Sequence, residues 1–459
     1  MSVSRNLPSP VQVQERAAAW EKLHARVEAM RLALVEAGHL PAAPRLTSAG
    51  ITARMAPDTA LVMLAQHDDQ RVLAIVLRRS DTGHTIARHV VADQHPDLRH
   101  FSFATLNRLA RQSLDQASRG HALRGAAAPS AGVNLENAPA SVEDLDQFAL
   151  ELFGSVWQRT VLPLLQSLLD QGCIDVCLVA SDELHLVPWT HFAETLSLPG
   201  SRVEVYPSCG AWWRRLQAGD EDAAPPRWAV AAWSALDSGR PLPWVEVERC
   251  LSEQLWRDLS GSVEVPPGER PKVDGVDALL GMGHGGAPDH NPAHAGLAMA
   301  GGCVLSAHDL PRIRTCRRVV LSACVLGRID DAFGEPLGFL SSCFDYGTRF
   351  ATGWLTEVPD AAACWASIAM QFALRQAFTS STSRPVLWSQ VFSEARIKIA
   401  SGSWPDGFAT WLARELPFAN HELTRRGVLP STIGLDRETL GVPPAELRRV
   451  MPWAVAFGR

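Results

Sequence analysis

The sequence predicts an α/β protein: a mostly parallel sheet flanked by helices, preceded by a helix and an antiparallel β-meander. Three observations carry this. Apolar runs near 174–180, 203–206, 227–233, 276–283, 318–323 and 349–354 alternate with helical stretches near 244–259, 335–346, 360–378 and 388–400. Such alternation builds a mostly parallel sheet covered by helices on both faces. Residues 59–91 hold three β-rich runs joined by His67-Asp68-Asp69 and Ser80-Asp81-Thr82-Gly83, which have the composition of hairpin turns. Finally, two apolar runs end at reactive side chains framed by small residues: Val276–Gly283 delivers His284-Gly285-Gly286, and Arg318–Ala323 delivers Cys324.

Before the meander, residues 9–38 carry Ala, Leu, Glu and Arg at helical spacing up to the breakers Gly38 and Pro41, and predict one long helix. Helical periodicity returns at 101–119 and from Val142 to Leu169, on either side of a Gly/Ala/Pro/Ser-rich linker at 120–140. The resulting division is an N-terminal helical and β-meander region, 1–140, for regulation or docking; an α/β domain, 141–430; and a C-terminal tail, 431–459. No repeat of fixed period is present.

Length and composition bound the partners. A chain of 459 residues with 46% hydrophobic content buries a large core and suggests two or three domains. A net charge of −6 without any long Lys/Arg block is no footprint for nucleic acid. The opening Met1–Pro8 lacks the apolar core of a signal peptide, and no apolar run approaches about 18 residues, so the expectation is a cytoplasmic protein without a membrane partner. Nine scattered cysteines fit a reducing compartment better than a disulfide framework. Lysine occurs only at 22, 272 and 398, and with abundant Ala this has the composition of a high-GC bacterial genome.

Ligand crevices of open α/β sheets lie at the carboxyl ends of the strands, where both His284 and Cys324 fall. A thiol and an imidazole there can act as nucleophile and base. Cys324 would attack, His284 would protonate the leaving group, and the backbone N–H groups of Gly285 and Cys324 would hold an oxyanion. The alternative is an inert buried cysteine and a solvated histidine. Gly281-Met282-Gly283-His284-Gly285-Gly286 matches a dinucleotide fingerprint, but Pro288 and Pro292 break the helix that would receive the pyrophosphate. Asp289, His290 and His294 have metal-like spacing that helps only on a helix, so a solvated loop is the better reading. No metal or other cofactor is expected. Most of the fifteen tryptophans read as core residues.

Several segments resemble the CHAT family of caspase-like cysteine proteases, relatives of caspases and separases. Leu279–Gly285 is similar to the family's strand ending in His-Gly, and Val319-Val320-Leu321-Ser322-Ala323-Cys324 to its Val-Val-Leu-Ser-Ala-Cys. Val304–Leu310, Gly334–Phe339 and Gly347–Trp354 resemble the segments between and after these, and Cys177–Trp189 with Tyr206-Pro207-Ser208 resemble those upstream. The resemblance covers roughly residues 142–415 and implies a caspase-like fold in which His284 and Cys324 hydrolyse a peptide bond of a protein substrate. Two departures stand out. Val325-Leu326-Gly327 replaces the family's Glu-Thr-Gly, and Trp354-Leu355-Thr356-Glu357-Val358-Pro359-Asp360 replaces Trp-Pro-Val-Asp-Asp.

In separase-like relatives an acid in the second loop holds a basic P1 side chain, which makes Glu357 and Asp360 the substrate-binding candidates; Asp360 also suits a helix cap. The tandem repeats that often accompany this domain are missing, so control falls to the N-terminal region or to a regulatory protein partner. The family analogy points to defence or programmed death. The other reading is a caspase-like scaffold without catalysis that binds partner proteins.

Overall fold

The computed structural model describes residues 48–68, 71–80, 83–92, 150–151, 153–154, 157–195, 202–218, 224–234, 242–258, 262–264, 276–286, 295–298, 304–306, 316–324, 326–327, 329–332, 335–356, 358–380, 385–426 and 443–458, with Ala29 and Ala33. The expected helical stretches at 9–38 and 101–119 and the linker at 120–140 otherwise lie outside these residues.

Strands β1 (Thr59–Asp68), β2 (Arg71–Ser80), β3 (Gly83–Ala92), β4 (Asp175–Ala180) and β5 (Arg202–Tyr206) form one sheet in the order β3-β2-β1-β4-β5. The meander is antiparallel as predicted, with Leu61 opposite Leu77 and Val72 opposite Val91. Its first strand then pairs in parallel with β4, Leu61 beside Cys177. The boundary expected at 140/141 therefore runs between strands of a single sheet.

The chain continues through β6 (Trp228–Ala232), β7 (Ser262–Glu264), β8 (Ala278–Met282), β9 (Gly285–Gly286), β10 (Gly296–Ala298), β11 (Val304–Ser306), β12 (Arg318–Ser322), β13 (Asp330–Ala332), β14 (Glu335–Leu337), β15 (Phe350–Trp354) and β16 (Ala454–Gly458). Six of these make the second sheet, ordered β16-β15-β12-β8-β6-β7. It is parallel except for β16, which runs antiparallel to β15. Every residue of β8, β12 and β15 is buried, as befits strands covered on both faces.

The period of two along β12 sorts its side chains. Val319, Leu321 and Ala323 face a core shared with the first sheet, where Leu61, Leu178 and Val205 also lie. Val320 faces a second core, built with the helices Pro243–Trp256, Asp360–Ser380, Trp388–Ala400 and Phe408–Arg425. Aromatic rings fill its floor: Trp388 touches Trp228, Phe350 and Phe392, and the Arg318 guanidinium lies 5.0 Å from the Trp388 ring centre. Each such ring pair contributes about 0.5–1.5 kcal/mol beyond its buried area. The expectation that most tryptophans serve the core describes these residues.

Two expectations need correction. The helix placed at 335–346 begins only at Phe339, because Glu335-Pro336-Leu337 pairs with Asp330-Asp331-Ala332 as a hairpin, in which Pro336 sits without needing an amide donor. The tail at 431–459 is no appendage: Ala445–Val450 is helical, and β16 closes the edge of the second sheet with Thr352 opposite Ala456. Its partner strand lies about a hundred residues earlier in the chain, a long-range pairing that local pattern does not announce.

That edge strand also fastens the two sheets together. On the helix Trp189–Thr195, which follows β4, Thr190 donates its hydroxyl to the Ala456 carbonyl at 3.2 Å. Arg396 donates through Nε to Glu194 at 2.7 Å, through a second nitrogen to the same carboxylate, and through a third to the Ala454 carbonyl. With the side chains of Arg396 and Glu194 only 6% and 10% exposed, loss of one partner strands a buried charge. Arg396→Ala is therefore expected to lower the unfolding free energy by about 3–5 kcal/mol, and Arg396→Met combined with Glu194→Leu to recover most of it. Urea denaturation checks both. A single-variant loss below about 1 kcal/mol, the range of an exposed pair, would show that this pair is not the fastening.

Candidate active site

Parallel pairing of β8 with β12 brings the two motif ends together. The ladder runs from Ala278 beside Arg318 to Met282 beside Ser322, so each strand reaches its reactive residue two positions later. Past the last pair, Gly283 donates its N–H to the Ser322 carbonyl at 3.4 Å. Its φ of +147° suits glycine, and a Cβ there would meet the Trp233 carbonyl oxygen at 3.0 Å. Trp233, just beyond β6, donates its N–H to Met282 O at 3.1 Å. Three strand ends thus converge where His284 leaves the sheet.

His284 is half-buried, and its carbonyl accepts the Ala298 N–H at 2.8 Å. Gly285 and Gly286 then pair with β10 as Leu297 opposite Gly285 and Gly296 opposite Gly286. Bonded and unbonded pairs alternate in an antiparallel ladder. The bond at 284/298 makes 285/297 an unbonded pair and turns the Gly285 N–H away from β10. The same glycine lies against the loop after β12: a Cβ at 285 would collide with the Cys324 carbonyl oxygen and stand 2.8 Å from Leu326 Cγ. Only glycine lets the two loops meet this closely.

Cys324 follows Ser322 and Ala323 at the end of β12 and is half-buried. Its sulfur receives the Val358 N–H at 3.3 Å and lies 3.5 Å from the Val358 carbonyl. Among the described cysteines, Cys324 and Cys209 alone are not fully buried. Burial pushes Cys209 up to about 11, Cys250 to about 11 and Cys316 to about 12, and raises Cys173, Cys343 and Cys364 as well. These thiols have the character of inert core residues. Beyond Cys324, Gly327 donates its N–H to Trp354 O at 2.8 Å, and a Cβ there would stand 2.7 Å from Val455. A glycine at 327 thus lets the loop after Cys324 cross β15 and β16, whatever residue stands at 325.

Of the two acids singled out beyond β15, Glu357 lies outside the described residues. Asp360 opens the helix Asp360–Ser380, yet its carboxylate accepts the Trp244 N–H at 3.0 Å, so it serves the N-terminus of the neighbouring helix Pro243–Trp256. Asp289, His290 and His294 lie outside the described residues, and among those described no three His, Cys, Asp or Glu side chains are grouped as a metal set. The helix of 21 residues at 360–380 is the longest described, and no described helix is long and apolar enough to cross a membrane.

Sequence reasoning overlooked Glu248. It belongs to the buried stripe Val245, Glu248, Leu251, Ser252 and Leu255 of its helix, spaced i, i+3, i+6, i+7 and i+10. An acid in the apolar phase of a helix was the available signal.

No family model matches this chain, and no curated protein matches it. Solved structures of similar shape include the Saccharomyces cerevisiae separase–securin complex, at 12% identity and a TM-score of 0.48, over 89% of this chain and 30% of that one. Gingipain R (RgpB), an Arg-specific cysteine proteinase, matches at 11% identity and a TM-score of 0.37, over 70% of this chain and 67% of that one. The complex of Porphyromonas gingivalis RgpB pro- and mature domains matches at 11% identity and a TM-score of 0.36, over 71% and 70%. This chain thus spans about a third of the length of the separase chain.

Proposed function

We propose that the chain is a caspase-like cysteine endopeptidase of the CHAT family, hydrolysing a peptide bond in a protein substrate through a thioester acyl-enzyme. One observation carries the reading: the β8/β12 register sets His284-Gly285 against Cys324, with the Gly285 backbone packed on the Cys324 carbonyl. In the mechanism, His284 takes the thiol proton as the Cys324 sulfur attacks the scissile carbonyl. The N–H groups of Gly285 and Cys324 receive the oxyanion; the turn of the Gly285 N–H away from β10 suits that task. Collapse of the tetrahedral species expels the amine, which takes the proton from His284. Water activated by His284 then cleaves the thioester and restores the thiol. The Val358 backbone meets the sulfur with both its groups, the N–H donating to it at 3.3 Å and the carbonyl accepting from the thiol at 3.5 Å, and so fixes where the sulfur stands.

No step of this mechanism calls for a cofactor. Because the Asp360 carboxylate is engaged at Trp244, Glu357 is the better candidate for holding a basic P1 side chain. Residues 1–140 would dock a regulator or an activating protein partner. The setting we propose is the bacterial cytoplasm, in a defence or programmed-death pathway; it rests on composition and motif resemblance.

Thiol alkylation with iodoacetamide, read by peptide mass spectrometry, is expected to modify Cys324 ahead of the other eight cysteines. His284→Ala should erase that lead and lower cleavage of a peptide library about 10²-fold or more, and Cys324→Ala should abolish it. Uniform labelling of native protein, with no cleavage, would instead favour a non-catalytic scaffold. Gly285→Ala must push the two loops apart. It is expected to cost about 1–3 kcal/mol of stability and at least tenfold in kcat/KM, checked by thermal unfolding and peptide hydrolysis; a fully active variant would refute the close packing as a requirement.

A further inference from the structure

Behind the strand end that carries Cys324 lies a polar cluster sealed from solvent. Glu248 is 1% exposed, Ser252 0%, Ser322 5%, Ser367 3% and Gln371 0%. They come from three elements, the helices Pro243–Trp256 and Asp360–Ser380 and the strand β12. Trp256 donates its indole N–H to Gln371 Oε1 at 3.1 Å, and Gln371 Nε2 donates to Ser367 Oγ at 3.1 Å. The hydroxyls of Ser367 and Ser322 face the Glu248 carboxyl and favour its charge, but burial dominates and holds it well above the carboxylate range, with Asp360 pushing the same way. Glu248 Oε1 and Ser322 Oγ lack a partner at normal hydrogen-bond geometry, so the Ser322 contact is a loose one.

Apolar side chains would fill this junction at lower cost, since buried polar groups need partners to offset their desolvation. The cluster instead spans the three elements that surround the nucleophile. Ser322 is the last residue of β12, two before Cys324. The period of two sends Val320, Ser322 and Cys324 toward the same helix layer, where Val320 is core and Cys324 packs at its margin. Asp360, bonded to Trp244 on the first helix, lies two residues past Val358, whose backbone holds the Cys324 sulfur. The helix Pro243–Trp256 thus approaches the end of β12 through Glu248, and the segment leading into the helix Asp360–Ser380 reaches the sulfur through Val358.

We propose that Glu248 is a positioning residue for Cys324, tying the Ser322 end of β12 to the two covering helices and so setting where the sulfur stands relative to His284. This rests on the peptidase reading above. A neutral acid offers one O–H donor and one carbonyl acceptor, and glutamine reproduces that pairing with nearly the same shape. Glu248→Gln should accordingly keep kcat within about threefold. Glu248→Leu should lower kcat about 10- to 100-fold with KM nearly unchanged, the pattern of a misplaced reacting group.

Stability against pH provides a readout that does not depend on catalysis. The groups facing Glu248 are Ser322 on β12 and Ser367, Cys364 and Asp360 on the helix Asp360–Ser380. With its folded value raised above the ordinary 4.5, Glu248 keeps in the folded state a proton that the unfolded chain releases. Its contribution is full below about 4.5 and declines as pH rises. Glu248→Gln, which cannot ionise, should gain on the native protein as pH increases.

The decisive experiment measures peptide cleavage by native protein, Glu248→Gln, Glu248→Leu and Ser322→Ala, with urea unfolding of each from pH 5 to pH 8. Ser322→Ala, a small deletion that leaves both helices intact, covers the case in which Glu248→Leu does not fold, and should also lower kcat with little change in KM. Active native protein matched in kcat by folded Glu248→Leu, or by Ser322→Ala, overturns the positioning role alone. A native protein without cleavage overturns the peptidase reading and this role with it. A native-minus-Gln stability difference flat with pH overturns the buried neutral acid.

Discussion

The register between β8 and β12 is the constraint on which the candidate site depends. A slip of one residue would reverse the facing of every side chain along β12, sending Val320, Ser322 and Cys324 into the inter-sheet core and Val319 and Leu321 under the helices. Full burial of both strands makes such a slip costly, because each face is filled by a different core. Glycine completes the arrangement beyond the ladder, with Gly283 beneath the Trp233 carbonyl and Gly285 against Cys324.

That sheet does not stand alone. Its inner face shares a core with the first sheet, one side of which is the antiparallel meander β3-β2-β1, and the two are fastened where the helix Trp189–Thr195 meets β16. The bond network of Arg396 joins three separate segments, with Glu194 202 residues and Ala454 58 residues away along the chain. Desolvating such a pair is expensive, so its value lies in the specific mutual position it demands. The same logic governs the cluster at Glu248, where buried polar groups join a strand end to two helices.

The thiols illustrate how environment separates residues of one type. Cys250, Cys316, Cys343 and Cys364 are packed in core and held as thiols by burial. Cys324 occupies a strand-end position where a peptide N–H addresses the sulfur and a glycine loop from the neighbouring strand abuts its backbone. Difference in reactivity would follow from place in the sheet rather than from local composition.

By itself the sequence determined the α/β class, the meander, the parallel strands and the two strand ends that carry His284 and Cys324, because hydrophobic period and glycine placement are local signals. Tertiary structure alone decided what those elements meet. It joined the meander to β4, made an edge strand of residues 454–458, turned 335–337 into a hairpin, and committed Asp360 to the helix at 243–256. It also gathered Glu248, Ser322 and Ser367 behind the strand end that carries Cys324. Each of these depends on partners brought together by chain closure over long separations, and neither the choice of a sheet neighbour nor the recipient of a buried hydrogen bond is encoded within a window of a few residues.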